Sequence, residues 1–103
     1  TVYKGSATEA QAKLAFFHLD NVTIELIEPV GGPSTWRDAL ESRGECVHHL
    51  AFEVNGMDRV IEGLEGMGFP LVQRGGDPAN GGGYAYCDSE SQLGFALELL
   101  EGY

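Results

Sequence analysis

Gly44-Glu45-Cys46-Val47-His48-His49-Leu50-Ala51-Phe52-Glu53-Val54 is the stretch from which the rest of the chain can be read. Leu50, Phe52 and Val54 alternate with His49, Ala51 and Glu53, which predicts a strand from Val47 to Val54 with one apolar face and one face able to carry chemistry. His49 falls on the polar face. By the same parity His48 falls on the other one and reads as structural. A second strand, Phe95-Ala96-Leu97-Glu98-Leu99-Leu100-Glu101, sets Glu98 among apolar neighbours. A carboxylate so placed needs a proton, a cation or a metal beside it.

Between these two strands, Met57, Val60, Ile61, Leu64 and Met67 recur at helical spacing, with Asp58 in the first turn and Gly68 at the stop. Phe69 to Gln73 reads as a short strand, at an edge because of Pro70. Gly75 to Gly83 reads as a flexible loop, since its glycines lack the GK[ST] ending of a phosphate cradle. Tyr84 to Cys87 then pairs with the Glu98 strand through a turn within Asp88 to Gly94.

Upstream, Lys13 to Leu19 and Val22 to Glu28 predict a hairpin turning at Asp20-Asn21, stopped by Pro29. Thr1 to Gln11 is weakly patterned and predicts an extended or mobile lead-in. Gly31-Gly32-Pro33 is a linker, Ser34 a helix N-cap, and Gly44 a left-handed stop for a short helix carrying Trp36, Ala39 and Leu40.

Ile24-Glu25-Leu26-Ile27-Glu28 and Leu97-Glu98-Leu99-Leu100-Glu101 match position by position, 73 residues apart, and each follows a strand and a turn. The second copy reads strand, helix, strand, strand, strand. The first holds only its last two strands, and the same offset puts a counterpart of His49 before Thr1. The repeat therefore predicts a first unit lacking about 25 residues or more.

At 103 residues, 43% of them hydrophobic, one small domain with a core is expected. A formal charge of −10 with six scattered Lys and Arg disfavours nucleic acid and acidic membrane surfaces, and no apolar run reaches transmembrane length. Cys46 and Cys87 have no CxxC spacing and read as free thiols of a reducing cytoplasm. Taken alone, His49 reads equally as a hydrogen-bonded core histidine or a ligand, and Glu25 or Glu98 as a partly exposed strand residue. Their recurrence in equivalent strands is what marks them as a site. Glu28, Glu53 and Glu101, at strand ends, read as solvated, and His18, on the strand before Glu25, reads more readily as a strand residue than as part of the cup's lining.

His48-His49-Leu50-Ala51-Phe52-Glu53-Val54, the paired Ile24-Glu25-Leu26 and Leu97-Glu98-Leu99 strands, and Glu28-Pro29 before a Trp-bearing helix resemble the vicinal oxygen chelate superfamily of glyoxalase, bleomycin-resistance and dioxygenase proteins. Within it they look most like the methylmalonyl-CoA epimerase and lactoylglutathione lyase branch. The resemblance implies an α+β fold of paired βαβββ modules forming a cupped mixed sheet, here with the first module incomplete. Residues 1–30 would be the partial first module, 31–46 a linker with a short helix, and 47–103 the complete second module.

It further implies a divalent metal (zinc, nickel, cobalt or manganese) held by His49, Glu98 and Glu25, with Glu98 and Glu25 also able to act as catalytic carboxylates. The implied activity is a metal-dependent isomerase, epimerase or lyase working by proton transfer next to a carbonyl, on a thioester or thiol conjugate. The strand and helix missing from the first module would leave unpaired backbone and exposed apolar surface, which predicts a homodimer or higher oligomer. The alternative is a non-catalytic binding or resistance protein of the bleomycin-resistance type.

Overall fold

The computed structural model describes residues 1–77 and 81–102. Eight strands and three helices follow in the order β1 (Val2–Tyr3), β2 (Ser6–Ala7), β3 (Gln11–His18), β4 (Thr23–Val30), α1 (Thr35–Arg43), β5 (His49–Glu53), α2 (Met57–Gly66), β6 (Leu71–Asp77), β7 (Gly82–Cys87), α3 (Glu90–Leu93) and β8 (Ala96–Glu101). The α+β class expected from the sequence is the one observed.

Six strands form one mixed sheet in the order β2-β1-β6-β7-β8-β5, in which β5 runs parallel to β8 and the other pairs are antiparallel. Parallel strands need a crossover, and α2 provides one over the face formed by Ala85, Cys87 and Leu99. Met57 and Ile61 of α2 bury against those three residues, with Val54, Val60, Leu64, Phe69 and Leu71 around them. The helical spacing of Met57, Ile61 and Leu64 is thus the stripe that closes the core. Gly56 at its N-cap supplies no side chain, and Glu101 at the end of β8 does so instead, its carboxylate accepting from the backbone N–H groups of Gly56 and Met57. Glu101 is therefore a cap and not the solvated residue expected.

β3 and β4 make a separate two-stranded sheet, with Phe16 opposite Glu25 and Ala15 opposite Leu26. A hairpin alone is marginal. This one is tied down by α1 and by the segment before it: Arg37 donates to the carbonyl of Pro29, Thr8 to the carbonyl of Pro33, and Ala10 is buried. The backbone of Glu9 passes so close to Gly31 that a Cβ there would lie 2.9 Å from its carbonyl oxygen. α1 itself starts where expected, Ser34 accepting from the Arg37 N–H at 3.0 Å, and stops at Gly44 with φ of 73°.

Four local expectations are corrected. Thr1 to Gln11 is not a lead-in: β1 and β2 turn at Lys4-Gly5, both with positive φ, and β1 pairs with β6. β6 is consequently no edge strand, and Pro70 stands one residue outside it. Pro29 does not stop β4, which runs on to Val30, because a two-stranded ribbon leaves backbone positions that need no N–H donor. Most of the expected glycine loop is strand, Gly75 and Gly76 in β6 and Gly82 and Gly83 in β7, whereas residues 78–80 lie outside the described residues. Gly75 is needed because Tyr84 lies across it, so that a Cβ there would fall 2.3 Å from the ring.

Candidate active site

The two sheets face each other across a cavity of about 630 Å³. The hairpin contributes Leu14, Phe16 and Glu25, α1 contributes Trp36, and the large sheet contributes His49, Tyr84, Tyr86 and Glu98. Register explains this set. In β5 and β8, Ala51 pairs with Glu98, and Tyr86 of β7 pairs with Glu98 from the other side, so all point away from α2 and into the cup. The opposite parity in β7 and β8 supplies the core.

Glu25, His49 and Glu98, the three residues singled out from the sequence, meet here. His49 Nε2 stands 3.2 Å from Glu98 Oε1 and 3.6 Å from Glu25 Oε1. Glu98 is 7% exposed, yet it is not isolated: Tyr86 donates its phenolic proton to it and accepts from the indole N–H of Trp36 at 3.0 Å. Burial raises the Glu98 carboxyl to about 7, against the lowering effect of the Tyr86 hydrogen bond and with a further push from the charge of Glu25. Burial also raises Glu25 and lowers His49. Because burial lowers the His49 imidazole below its ordinary range, it is neutral at neutral pH and its contacts with Glu98 and Glu25 are not pairs of full opposite charges.

His48 departs from expectation. It precedes β5 and escapes the strand's alternation, so its ring turns toward the cup and packs edge-on against His49 and Tyr86. Its Nδ1 lies 2.9 Å from Nδ1 of His49 and its Nε2 lies 3.1 Å from Thr35 Oγ1. Burial, together with the neighbouring His49 and Arg43, lowers His48 to about 4, which keeps it neutral at neutral pH. The sequence marks Tyr84 and Tyr86 only as strand residues. Their parity with Glu98 was the available signal that they face the site.

His18 is not among the residues that line the cavity. It ends β3, bonds Thr23 through Nδ1 and stacks on Phe16. Cys46 and Cys87 are both free. A smaller hollow of about 290 Å³ beside α2 is lined by the Asp58–Arg74 ion pair and by the Glu101 cap, whose charged groups already have partners.

Among the described residues no group of three or more His, Cys, Asp or Glu side chains is placed so that it could hold a metal ion as it stands. Two of the donor separations nevertheless come close to those of ligands around one ion. Ligands about 2.1 Å from a common ion lie about 3.0 to 3.4 Å apart at octahedral or tetrahedral angles, and the 3.2 Å and 3.6 Å separations bracket the upper end of that range. One imidazole and two carboxylates also form a donor set suited to zinc, nickel, cobalt or manganese.

This fold and cup define a class. Residues 2–86 match the Glyoxalase/Bleomycin resistance protein/Dioxygenase superfamily, and the chain belongs to it. Glu25 and His49 fall within the matched span and Glu98 beyond it. The uncharacterized protein YqjC of Bacillus subtilis (strain 168) is 30% identical over 101 residues, covering 97% of this chain and 72% of that one. The crystal structure of the hypothetical protein BH1468 from Bacillus halodurans C-125 is similar with a TM-score of 0.66 at 27% identity, over 87% of this chain and 66% of that one. Among the described residues no helix is long and apolar enough to cross a membrane.

Proposed function

We propose that this protein is a metal-dependent isomerase, epimerase or lyase that moves a proton at a carbon next to a carbonyl, in the manner of methylmalonyl-CoA epimerase or lactoylglutathione lyase. The observation that supports this reading is the convergence of Glu25, His49 and Glu98, from three different strands, on one point of an otherwise apolar and aromatic cup. His49, Glu98 and Glu25 would hold the ion. A divalent cation there supplies electron withdrawal from a substrate carbonyl, which acidifies the neighbouring C–H.

The remaining work falls to the chain itself. Glu98 and its neighbour Glu25 are the carboxylates that can take a proton from the substrate carbon and return it, as proton transfer on two faces of one carbon requires. Glu25 is the more open of the two, with a side chain 21% accessible against 9%. It can therefore reach a substrate while Glu98 stays fixed by Tyr86. Phe16, Trp36 and Tyr84 exclude water from the reacting carbon. The working form is a cytoplasmic homodimer that takes a thioester or thiol conjugate.

A second reading, a non-catalytic binding protein of the bleomycin-resistance type, is favoured by one observation. No Lys or Arg lines the cavity among the described residues, so the cup suits an uncharged or cationic molecule. Metal analysis of the purified protein, with deuterium exchange at the carbon next to a thioester carbonyl followed with and without chelator, separates the two. Retained metal and exchange that both disappear in His49→Ala and Glu98→Gln support the enzyme. Tight binding of a hydrophobic cation, with neither metal nor exchange, supports the binding protein.

A further inference from the structure

We infer that His48 is the positioning residue for the metal-binding nitrogen of His49, acting through a hydrogen-bonded chain from His49 to His48 to Thr35 that starts at the cup and ends on α1. The inference rests on the proposed metal site, and it concerns a residue with no place in that site's donor set.

The argument is one of donor and acceptor counting. The Nδ1 atoms of His48 and His49 are 2.9 Å apart, so one carries the proton between them and the other presents a lone pair. His49 Nε2 faces Glu98 and Glu25. If that nitrogen gives its lone pair to a cation, the ring's remaining N–H is at Nδ1, and it must donate to His48 Nδ1. His48 is then itself protonated at Nε2, and that N–H meets Thr35 Oγ1 at 3.1 Å. Each link leaves one arrangement for the next, so a cation at Nε2 is matched by a single proton arrangement in contacts outside the donor set.

Position as well as tautomer is fixed by the same contacts. The His48 ring stands perpendicular to Tyr86 with centroids 5.0 Å apart, and perpendicular to His49 at 5.2 Å. Thr35 opens α1, and its own backbone N–H is held by the side chain of the buried Gln73 at 2.7 Å. The acceptor that His49 meets is thereby anchored to a helix end and a sheet strand, not to a mobile surface group.

Zinc affinity measured by competition with a chromogenic chelator tests this on the whole chain, with folding followed by circular dichroism. His48→Phe keeps the ring's bulk and removes both nitrogens; a loss of about 10- to 100-fold in affinity is expected. His48→Asn places an amide oxygen near the position of Nδ1 and is expected to recover most of that loss, and Thr35→Val is expected to cause a smaller loss than His48→Phe. In the zinc-loaded protein, nitrogen-15 imidazole spectra should show His48 protonated at Nε2 and His49 at Nδ1. Zinc affinity unchanged in His48→Phe, or His48 protonated at Nδ1 in the loaded protein, overturns the inference while leaving the metal site standing. A wild type that holds zinc no better than His49→Ala overturns both.

Discussion

The indole N–H of Trp36 donates to the phenolic oxygen of Tyr86, and because indole can only donate, the single Tyr86 proton is left for Glu98. A residue of the connecting helix α1 thus sets the direction of a hydrogen bond onto the candidate site. Tyr86→Phe removes one oxygen from this chain and leaves the Trp36 N–H without its acceptor. A stability loss of about 1 to 3 kcal/mol is expected in urea unfolding. Since the lost bond favoured the charged carboxylate, the Glu98 carboxyl should also titrate higher, as read from its carbonyl carbon chemical shift. A carboxyl that titrates unchanged would show that the phenol does not donate to Glu98.

Burial acts with opposite sign on the acids and bases of this site, and stability should follow pH accordingly. Glu98 is raised from 4.5 to about 7, so its contribution is present below pH 4.5 and lost as pH rises to about 7. Glu25 is shifted in the same direction. His48 is lowered from 6.5 to about 4, so its contribution is present above pH 6.5 and lost as pH falls through about 4, and His49 is shifted likewise. Between pH 4.5 and 6.5 the two effects oppose each other, and at pH 8 the metal-free protein bears the burial of Glu98 in full. Glu98→Gln should therefore be more stable than the wild type at pH 8 by on the order of 2 kcal/mol, with the difference closing toward pH 4.5. Chemical denaturation at the two pH values measures it. A wild type at least as stable as the variant at pH 8 would contradict the raised carboxyl.

How much of this was legible in the sequence depends on how local the cause is. Glu25 and Glu98 could be read because period-2 alternation fixes the face of a strand residue wherever the strand sits, and because the same five-residue pattern occurs twice. The capped helix at Ser34 was legible for a similar reason, a cap being a contact between residues three apart. His48 was misread because the alternation was extended two residues beyond the strand's real beginning at His49. The glycines of β6 and β7 looked like a loop because glycine has no strand preference of its own. What places Gly75 in a strand is the Tyr84 ring across from it, a contact visible only once the pairing is known. The pairing of β1 with β6 joins residues about seventy positions apart, and two-residue strands carry no pattern.

Gly75→Ala tests that contact. The added methyl would stand 2.3 Å from one ring carbon of Tyr84 and 2.9 Å from its hydroxyl, so the ring must leave its place. With it goes the hydrogen bond in which Gln73 donates to the phenolic oxygen at 3.1 Å. The expected cost is about 1 to 3 kcal/mol, the usual range for overpacking, measured by thermal or urea unfolding. A variant as stable as the wild type would mean that Tyr84 has another equally good position.

The outer face of the β3–β4 hairpin, turned away from the cup, carries Phe17, Ile24 and Leu26, which are 53%, 47% and 57% exposed, and Leu19 and Val22 extend it at the turn. In the large sheet the equivalent face of β7 and β8 is covered by α2, whereas among the described residues nothing covers this one. Clustered apolar surface on a two-stranded ribbon with free edges promotes self-association. The wild type should therefore show a concentration-dependent dimer in sedimentation velocity across the micromolar range. Leu26→Lys is exposed enough not to disturb the fold. It removes about 2 kcal/mol of burial from each dimer contact it makes and should weaken association by about tenfold or more. A wild type that stays monomeric at the top of the range, or a Leu26→Lys variant that dimerises equally well, would place the interface elsewhere or nowhere on this face.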